Sequence, residues 1–524
     1  MITLPSKAST ACLPALLWLT VFSLFCLMTY GGIRTPDEEV TFRVGQSLAM
    51  HGTFAVEKDL EAWPEFGLPR GLDGRRYSGF GPIQPILLAP FIRAAANFNQ
   101  SQWYEFRRIP VSFAVDAEAL RSYILNQRPV DMEPHALRFL VSFFSPLVAS
   151  LAVVLQFWVV RRLTGNPAAA FITALLLGLA TPLWDYSGTM FREPLAMVFS
   201  TASFFMLIPS HGESAVMRNS TRVFGAGFLS GLACATHITA ILSVPFFLML
   251  AVYPCSRREK REGEHGGLCI NAVVMFLAGA FIVAALWGWH NQLRFGSFWE
   301  TGRKVPSPII YGVFTAPWEG LIGLLASPGK GLFWFCPILA AAIFCWPGFH
   351  KRHRYLSSII IAMALFRLFF IACRSDWHGG FCLGPRYFLM LLPFLLIPVG
   401  CRLADFWTAG RPISVWRPVA AGGYLFACVV QQIYFCLGEP ISFYYMLKIV
   451  NLQQGVSIIT NNQIYFQWSA SPLFHLFDGR RGPFFLQSVP LDQWTLLVAC
   501  SLGVALITGL LVFCLIRVNG KLYK

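Results

Sequence analysis

Charge is what this chain has least of. Asp, Glu, Lys and Arg make up 13% of its 524 residues, about half the share of a soluble domain. No soluble domain is visible at either end, and there is no low-complexity tract. The 14 cysteines include no CxxC pair and no zinc-type spacing, which excludes a zinc module or a dithiol redox motif. Most lie inside apolar runs (Cys26, Cys234, Cys345, Cys428, Cys514), where they act as small buried hydrophobes. No internal repeat appears, which weighs against a transporter built from repeated halves. No small-x-small cleavage site precedes Gly31, so the apolar run from Ala11 to Tyr30 predicts a retained first span. Loops rich in glycosylation sites and an ER-retention tail are both missing, which favours a bacterial inner membrane. The sequon Asn99-Gln100-Ser101 is a match within chance.

What the chain has instead is hydrophobic length. Apolar residues reach 56% and the mean hydropathy is +0.56, the balance of a polytopic membrane protein. Apolar runs near 11–30, 136–160, 167–183, 194–209, 222–237, 239–254, 268–290, 331–347, 355–373, 386–401, 416–437 and 494–516 predict an all-α protein of about twelve transmembrane helices. His237 and Pro245 argue for an interruption within 222–254. Gly81 to Phe98 is apolar but carries Pro82, Pro85, Pro90 and Arg93, which predicts a re-entrant or interfacial helix. The stretch from about Glu38 to Met50 has the pattern of an amphipathic helix lying on the surface. Residues 1–437 then form one transmembrane module containing the outer loop 31–135. Residues 438–524 add a further outer loop and the last span.

The formal charge of +15 is not a nucleic-acid footprint, because its excess lies in short segments between apolar runs. With both ends in the cytoplasm, the inner segments hold eighteen Lys and Arg against five acids, and every inner loop is short and basic. That satisfies the positive-inside rule. The long loops 31–135, 291–330 and 438–493 then all face outward, together with the short 184–193 and 374–385. Every motif-like stretch lies in these outer segments or at the span ends that border them, so chemistry falls at the outer interface. Nucleotide-activated donors are not at hand there, whereas a lipid-linked donor is.

Arg34-Thr35-Pro36-Asp37-Glu38-Glu39 follows the first span. Its carboxylates stand where uncompensated charge is expensive. Asp37 reads either as a working acid or as the N-terminal cap of the helix that follows. Further along the loop, Tyr77-Ser78-Gly79-Phe80-Gly81-Pro82 forms a tight turn. Its tyrosine can stack on a sugar or simply lead into the apolar helix. In the second outer loop Asp185 and Glu193 can share base and metal-ligand roles with the first acids, or one of them can pair with Arg192. Ser327-Pro328-Gly329-Lys330-Gly331 resembles a phosphate-binding turn but lacks P-loop spacing, and a snorkelling Lys330 explains it nearly as well. His378 is a second base, a metal ligand or a structural histidine. Arg386, in Gly384-Pro385-Arg386-Tyr387, is placed to clamp a phosphate, and Arg367 within a span needs a polar interior or an acid partner.

Taken in order, these stretches resemble the GT-C superfamily of membrane glycosyltransferases. The acid pair Asp37-Glu38 comes directly after span one, followed by Tyr77-Ser78-Gly79-Phe80-Gly81-Pro82. Next come Thr181-Pro182-Leu183-Trp184 and Glu193-Pro194-Leu195-Ala196. Phe295-Gly296-Ser297, Glu300-Thr301-Gly302, Ser327-Pro328-Gly329-Lys330-Gly331 and Gly384-Pro385-Arg386-Tyr387 complete the series. The nearest in style are bacterial proteins related to protein O-mannosyltransferases and aminoarabinose transferases, over roughly residues 12–400. A Lys-Pro-Pro stretch that some of them carry is replaced here by Gly81-Pro82-Ile83.

The resemblance implies an inverting transferase that uses a polyprenyl-phosphate-linked sugar and glycosylates a glycan, lipid or protein acceptor at the periplasmic face. It makes Asp37 the base or acceptor-orienting acid, with Glu38 beside it. Glu193 and Asp185 become the second-loop acids, and Lys330 and Arg386 the donor-phosphate ligands. Tyr77 and His378, read from their own stretches, are candidate substrate contacts. It leaves a divalent metal ion open, with Asp37 and Glu193 to hold it. The rival reading, a flippase for a lipid-linked sugar, shares this topology.

Overall fold

In the computed structural model, residues 6–33, 35–56, 68–98, 136–210, 220–262, 267–302, 313–408, 416–438, 440–441, 443–444, 447, 451, 462–477, 483–486 and 489–520 are described. The Asn99-Gln100-Ser101 sequon lies outside them. Among the described residues the chain is helical apart from one antiparallel hairpin, Ala55–Val56 paired with Arg76–Tyr77, and two isolated bridges. All twelve predicted apolar runs are helical. Among the described residues, six helices are long and apolar enough to cross a bilayer: Leu137–Thr164, Ile270–Phe295, Arg354–Ala372, Arg386–Trp407, Val419–Gly438 and Gln493–Leu511. The chain is thus a multi-pass membrane protein, though on this measure the expected twelve spans are not reached. Cys12–Leu27, Pro167–Leu179, Glu193–Leu207 and Ile238–Tyr253 are apolar but shorter.

Local signals explain where these helices stop. Phe144–Thr164 ends on Gly165 in the left-handed region, with Arg161 and Arg162 in its last turn. Two residues later Asn166 caps Pro167–Leu179, its side chain accepting from the amides of Ala168 and Ala169 at 3.0 Å. The first helix, Ser6–Leu27, packs against both.

The predicted interruption within 222–254 falls at His237. Ser220–Thr236 ends there, a 3-10 stretch Ile238–Ser243 follows, and Val244–Glu262 resumes the α-helix. Ser220–Thr236 crosses Gly267–Phe295 at bare backbone. A Cβ on Gly227 would lie 1.9 Å from the Phe276 carbonyl oxygen, and one on Gly279 would lie 2.2 Å from that of Phe224. Small residues on facing helices are how apolar spans gain contact where lipid offers no hydrophobic contrast. The crossing fixes the helix that carries His237.

Between the first helix and Ala136–Ser142, the amphipathic helix is Pro36–His51 and the proline-rich one is Ile83–Phe98. They pack on each other through a cluster that includes Phe42, Leu88 and Ile92. From the far end of the chain, Tyr444 hydroxyl donates to the Gly329 carbonyl (2.7 Å), Ser471 Oγ to that of Pro328 (2.6 Å), and the Gly329 amide to Tyr465 (2.9 Å). The segment after residue 438 therefore closes over the Lys330 turn.

Candidate active site

The helix Pro36–His51 is capped by Thr35, not by Asp37. Thr35 is extended (φ −125°, ψ 154°), and its hydroxyl accepts from the Glu38 amide at 3.4 Å. The Glu38 carboxylate accepts from the Thr35 amide at 3.3 Å. This is a reciprocal capping box, and it corrects the cap reading of Asp37. Glu38 is thereby engaged at the helix start. Asp37, with the capping done by its neighbours, projects toward two guanidinium groups. Its Oδ2 lies 3.2 Å from Arg386 Nη1 and 4.0 Å from Arg192 Nη2.

Glu193 opens the helix Glu193–Leu207, where its charge faces the positive end of the helix. Its Oε1 stands 3.3 Å from Arg386 Nε and 3.4 Å from His237 Nε2. One guanidinium therefore bridges the acid of the first loop and the acid of the second. Its side chain and that of Asp37 remain 13% and 14% exposed, against 2% for Glu193. Asp37 and Arg386 form the front of the cluster, and Glu193 with His237 stands behind.

The backbone delivers Arg386 through a turn rich in glycine. Gly379 has φ +73°, and a Cβ there would stand 3.0 Å from Arg386 Cγ, so conformation and space both require glycine. Arg386 then passes over the rings of Phe191 and Tyr387. Arg192 lies flat over Phe80, 3.6 Å from the ring centre. Phe80 is held there by its neighbour Gly81, whose missing Cβ would fall 1.9 Å from the Ala235 carbonyl oxygen.

The other predicted residues have partners of their own. Asp185, in the short helix Leu183–Ser187, has the Tyr30 hydroxyl 3.3 Å from Oδ1, and that hydroxyl also lies 2.6 Å from the Cys436 carbonyl. Tyr77 is on the hairpin, its hydroxyl donating to Asp73 at 2.7 Å and its ring edge-on to Phe295.

Lys330 is fully buried. Its ammonium donates to the carbonyls of Gly380 (2.7 Å) and Cys382 (2.6 Å), lies 3.4 Å from the Cys382 sulfur, and faces the rings of Tyr444 and Tyr465. Burial pushes it down to about 8, with the Arg386 charge adding to the effect. His378 stacks on Tyr465, with centroids 4.6 Å apart, and its Nδ1 accepts from the Gly380 amide at 2.9 Å. Burial, and then the charge of Lys330, push this ring down to about 3, so it is neutral. Lys330 and His378 both organise the loop that leads to Arg386.

Sequence reasoning missed His237 as a member of the site and read it only as a break in a helix. A histidine inside an apolar run was the available signal, because polar groups at such depth need partners. It also missed Phe80 as the platform for Arg192.

The donor set does not fit a resident divalent metal. Among the described residues no three His, Cys, Asp or Glu side chains gather to hold one. Asp37 and Glu193 instead face each other across a guanidinium. Beside Arg386 lies a crevice of about 10 Å³, lined by Tyr186, Leu332, Cys336, Pro385 and Leu389 among others, with room for about one water.

Residues 125–293 match the family described as dolichyl-phosphate-mannose-protein mannosyltransferase. That stretch includes Asp185, Arg192, Glu193 and His237, while Asp37 and Arg386 lie to either side of it. The match bears out the GT-C resemblance drawn from the motifs. No curated protein matches in sequence. Among solved structures, ArnT from Cupriavidus metallidurans, bound to undecaprenyl phosphate, is 14% identical with a TM-score of 0.47, over 89% of this chain and 77% of that one. The archaeal oligosaccharyltransferase AglB from Archaeoglobus fulgidus, in complex with an inhibitory peptide and a dolichol-phosphate, is 12% identical with a TM-score of 0.43. There the match covers 93% of this chain and 62% of AglB.

Proposed function

We propose that this protein transfers a sugar from a polyprenyl-phosphate carrier to an acceptor hydroxyl at the outer, periplasmic face of a bacterial inner membrane. The observation that carries the reading is the single guanidinium of Arg386 between Asp37 and Glu193, with Arg192 alongside. Acids and cations thus converge from three separate outer turns. The family match supports a lipid-phosphate sugar donor, and the basic inner loops support the outer face as the side of reaction.

In this reading Asp37 takes the proton of the acceptor hydroxyl as that oxygen attacks the anomeric carbon. Both guanidinium contacts of Asp37 fall on Oδ2, so Oδ1 is the oxygen left to receive it. The bond between the anomeric carbon and the phosphate oxygen breaks on the opposite side. Its electron pair leaves with the polyprenyl phosphate, and the configuration at carbon inverts. Arg386 and Arg192 take up the charge gathering on that phosphate. A guanidinium has five N–H donors, more than the two carboxylate contacts of Arg386 engage. Lys330, its ammonium enclosed by carbonyls, supports the loop of Arg386 rather than the phosphate directly.

The test is genetic and chemical together. Deleting the gene in the native host should remove one sugar from a surface lipid, protein or polysaccharide, read by mass spectrometry of surface glycans. The native chain should restore it and the Asp37→Asn chain should not. Restoration by Asp37→Asn would remove Asp37 as the base. An unchanged glycan profile on deletion would end the transferase reading.

A further inference from the structure

We propose that His237, held by Thr239 and through it by Arg367, is a positioning residue that sets Glu193 and thereby the Arg386 guanidinium. The proposal rests on the transferase reading above, in which Arg386 meets the donor phosphate.

One buried guanidinium braces two parts of the site at once. Arg367 lies within the helix Arg354–Ala372 and is wholly buried. Its Nη1 donates to the Tyr387 carbonyl at 3.0 Å, and its Nη2 to the Thr239 carbonyl at 2.8 Å. Longer contacts reach Thr239 Oγ1 (3.4 Å) and Ser243 Oγ (3.3 Å). Tyr387 is the neighbour of Arg386, and Thr239 follows His237 by two residues. Both segments, Ile238–Ser243 and Arg386–Leu391, are 3-10 helices. Their looser hydrogen-bonding geometry makes an outside donor to their carbonyls count for more.

The same brace also holds the residue that faces the imidazole from the other side. His237 Nδ1 lies 2.8 Å from Thr239 Oγ1. Arg367 can only donate, so it takes one lone pair of that oxygen, while the hydroxyl keeps a proton that it can offer to Nδ1. The Glu193 carboxylate can only accept, and this favours the ring proton on Nε2, the nitrogen 3.4 Å from its Oε1. With the opposite tautomer a lone pair would face the carboxylate. Thr239, itself held by Arg367, thus anchors the Nδ1 side of a ring whose Nε2 faces Glu193.

That imidazole restrains how Glu193 holds Arg386. Oε1 lies 3.4 Å from His237 Nε2 and 3.3 Å from Arg386 Nε, close enough for electrostatic attraction but outside hydrogen-bond geometry. Without the imidazole the carboxylate is free to turn and take the guanidinium in a two-pronged grip. Arg386 would then be drawn off Asp37 and away from the front of the cluster. Orienting partners one step behind a charged ligand commonly matter in this way.

The experiment uses the purified full-length chain in nanodiscs, with undecaprenyl phosphate as the binding probe and thermal melting as a check on folding. His237→Ala should weaken binding by about tenfold or more, the usual scale for losing an orienting partner. His237→Gln, whose amide N–H stands near the Nε2 position, should recover to within about threefold of the native chain. Thr239→Val should fall between the two. The proposal is overturned if folded His237→Ala binds like the native chain. It is equally overturned if His237→Gln is as weak as His237→Ala, because packing alone would then explain the residue. Should His237→Ala fail to fold, His237→Gln and Thr239→Val decide the matter, and native-like binding by Thr239→Val counts against the anchoring by Thr239. A native chain that does not bind undecaprenyl phosphate at all would remove the transferase reading itself, and the positioning role with it.

Discussion

Arg386 Nη1 stands 3.2 Å from Asp37 Oδ2 across 349 residues of chain. Through Nε the same guanidinium reaches Glu193 at 3.3 Å. Two carboxylates that would repel each other in a partly buried site are therefore held together by one planar cation, whose fork suits two acceptors at once.

Replacing Asp37 with Asn keeps the shape of the side chain and removes its charge. Turnover should fall by about 10²–10⁴-fold, the range for loss of a general base. Binding of undecaprenyl phosphate should be no weaker, because one competitor for Arg386 is gone. Rates and affinities measured on the same preparation check this, and a parallel loss of both would show that Asp37 holds the fold or the ligand instead.

Arg386→Lys tests whether the fork matters beyond its charge. An ammonium cannot occupy the Nη1 and Nε positions together, so one carboxylate loses its nearest cation. A loss of about 3 kcal/mol is expected, the low end for a broken buried pair because a positive charge remains. Thermal melting in detergent should show it, together with weaker binding of undecaprenyl phosphate. Unchanged values for both would sink the bridging role.

Glu39 gives the molecule an acid-sensitive joint. Burial raises its carboxyl, but Arg138 and then Arg43 overcome this and hold it below the usual 4.5. Arg138 grips it in two-pronged fashion, Nη2 to Oε1 at 2.6 Å and Nε to Oε2 at 3.1 Å. That joins the helix Pro36–His51 to Ala136–Ser142. A depressed carboxylate contributes stability that is present above the unfolded value of 4.5 and lost as pH falls through the lower folded value. Glu39→Gln should melt well below the native chain at pH 7, and the gap should narrow steadily as the buffer is taken from pH 5 toward 3. A gap that holds constant would mean the pair contributes nothing through its charge.

Gly81→Ala places a methyl group against the Ala235 carbonyl oxygen, 1.9 Å away before relaxation. Overpacking of this kind costs about 1–3 kcal/mol. It should also shift Phe80 from beneath Arg192, so the melting point and undecaprenyl phosphate affinity should drop together. A lower melting point with native affinity would separate Phe80 from the site.

Much of the architecture was readable because apolar runs and their breaks are local. The helix after the first span, the proline-rich helix and the interruption at His237 all fall where hydrophobic periodicity put them. The span count was less readable. Runs such as Glu193–Leu207 and Pro167–Leu179 are cut short by caps and turns, at 15 and 13 residues. Thr35 with Glu38 three residues on is a capping-box signature, yet the acid cluster beside it drew the cap onto Asp37. What pairs with what was hidden for a simpler reason. Lys330 is satisfied by the carbonyls of Gly380 and Cys382, and Arg367 by those of Thr239 and Tyr387. Backbone acceptors of this kind leave no mark in a sequence.

The buried ammonium of Lys330 gathers the 327–331 turn, the loop at 380–382 and the rings of Tyr444 and Tyr465 about a single internal charge. The segment arriving at Arg386 is thus tied down by contacts within the protein itself. A polyprenyl phosphate diffusing in from the leaflet would meet a preset cation, and ordering that loop would not subtract from its affinity. On the proposed transferase reading, grip on the carrier would thus be settled during folding, far in advance of the encounter.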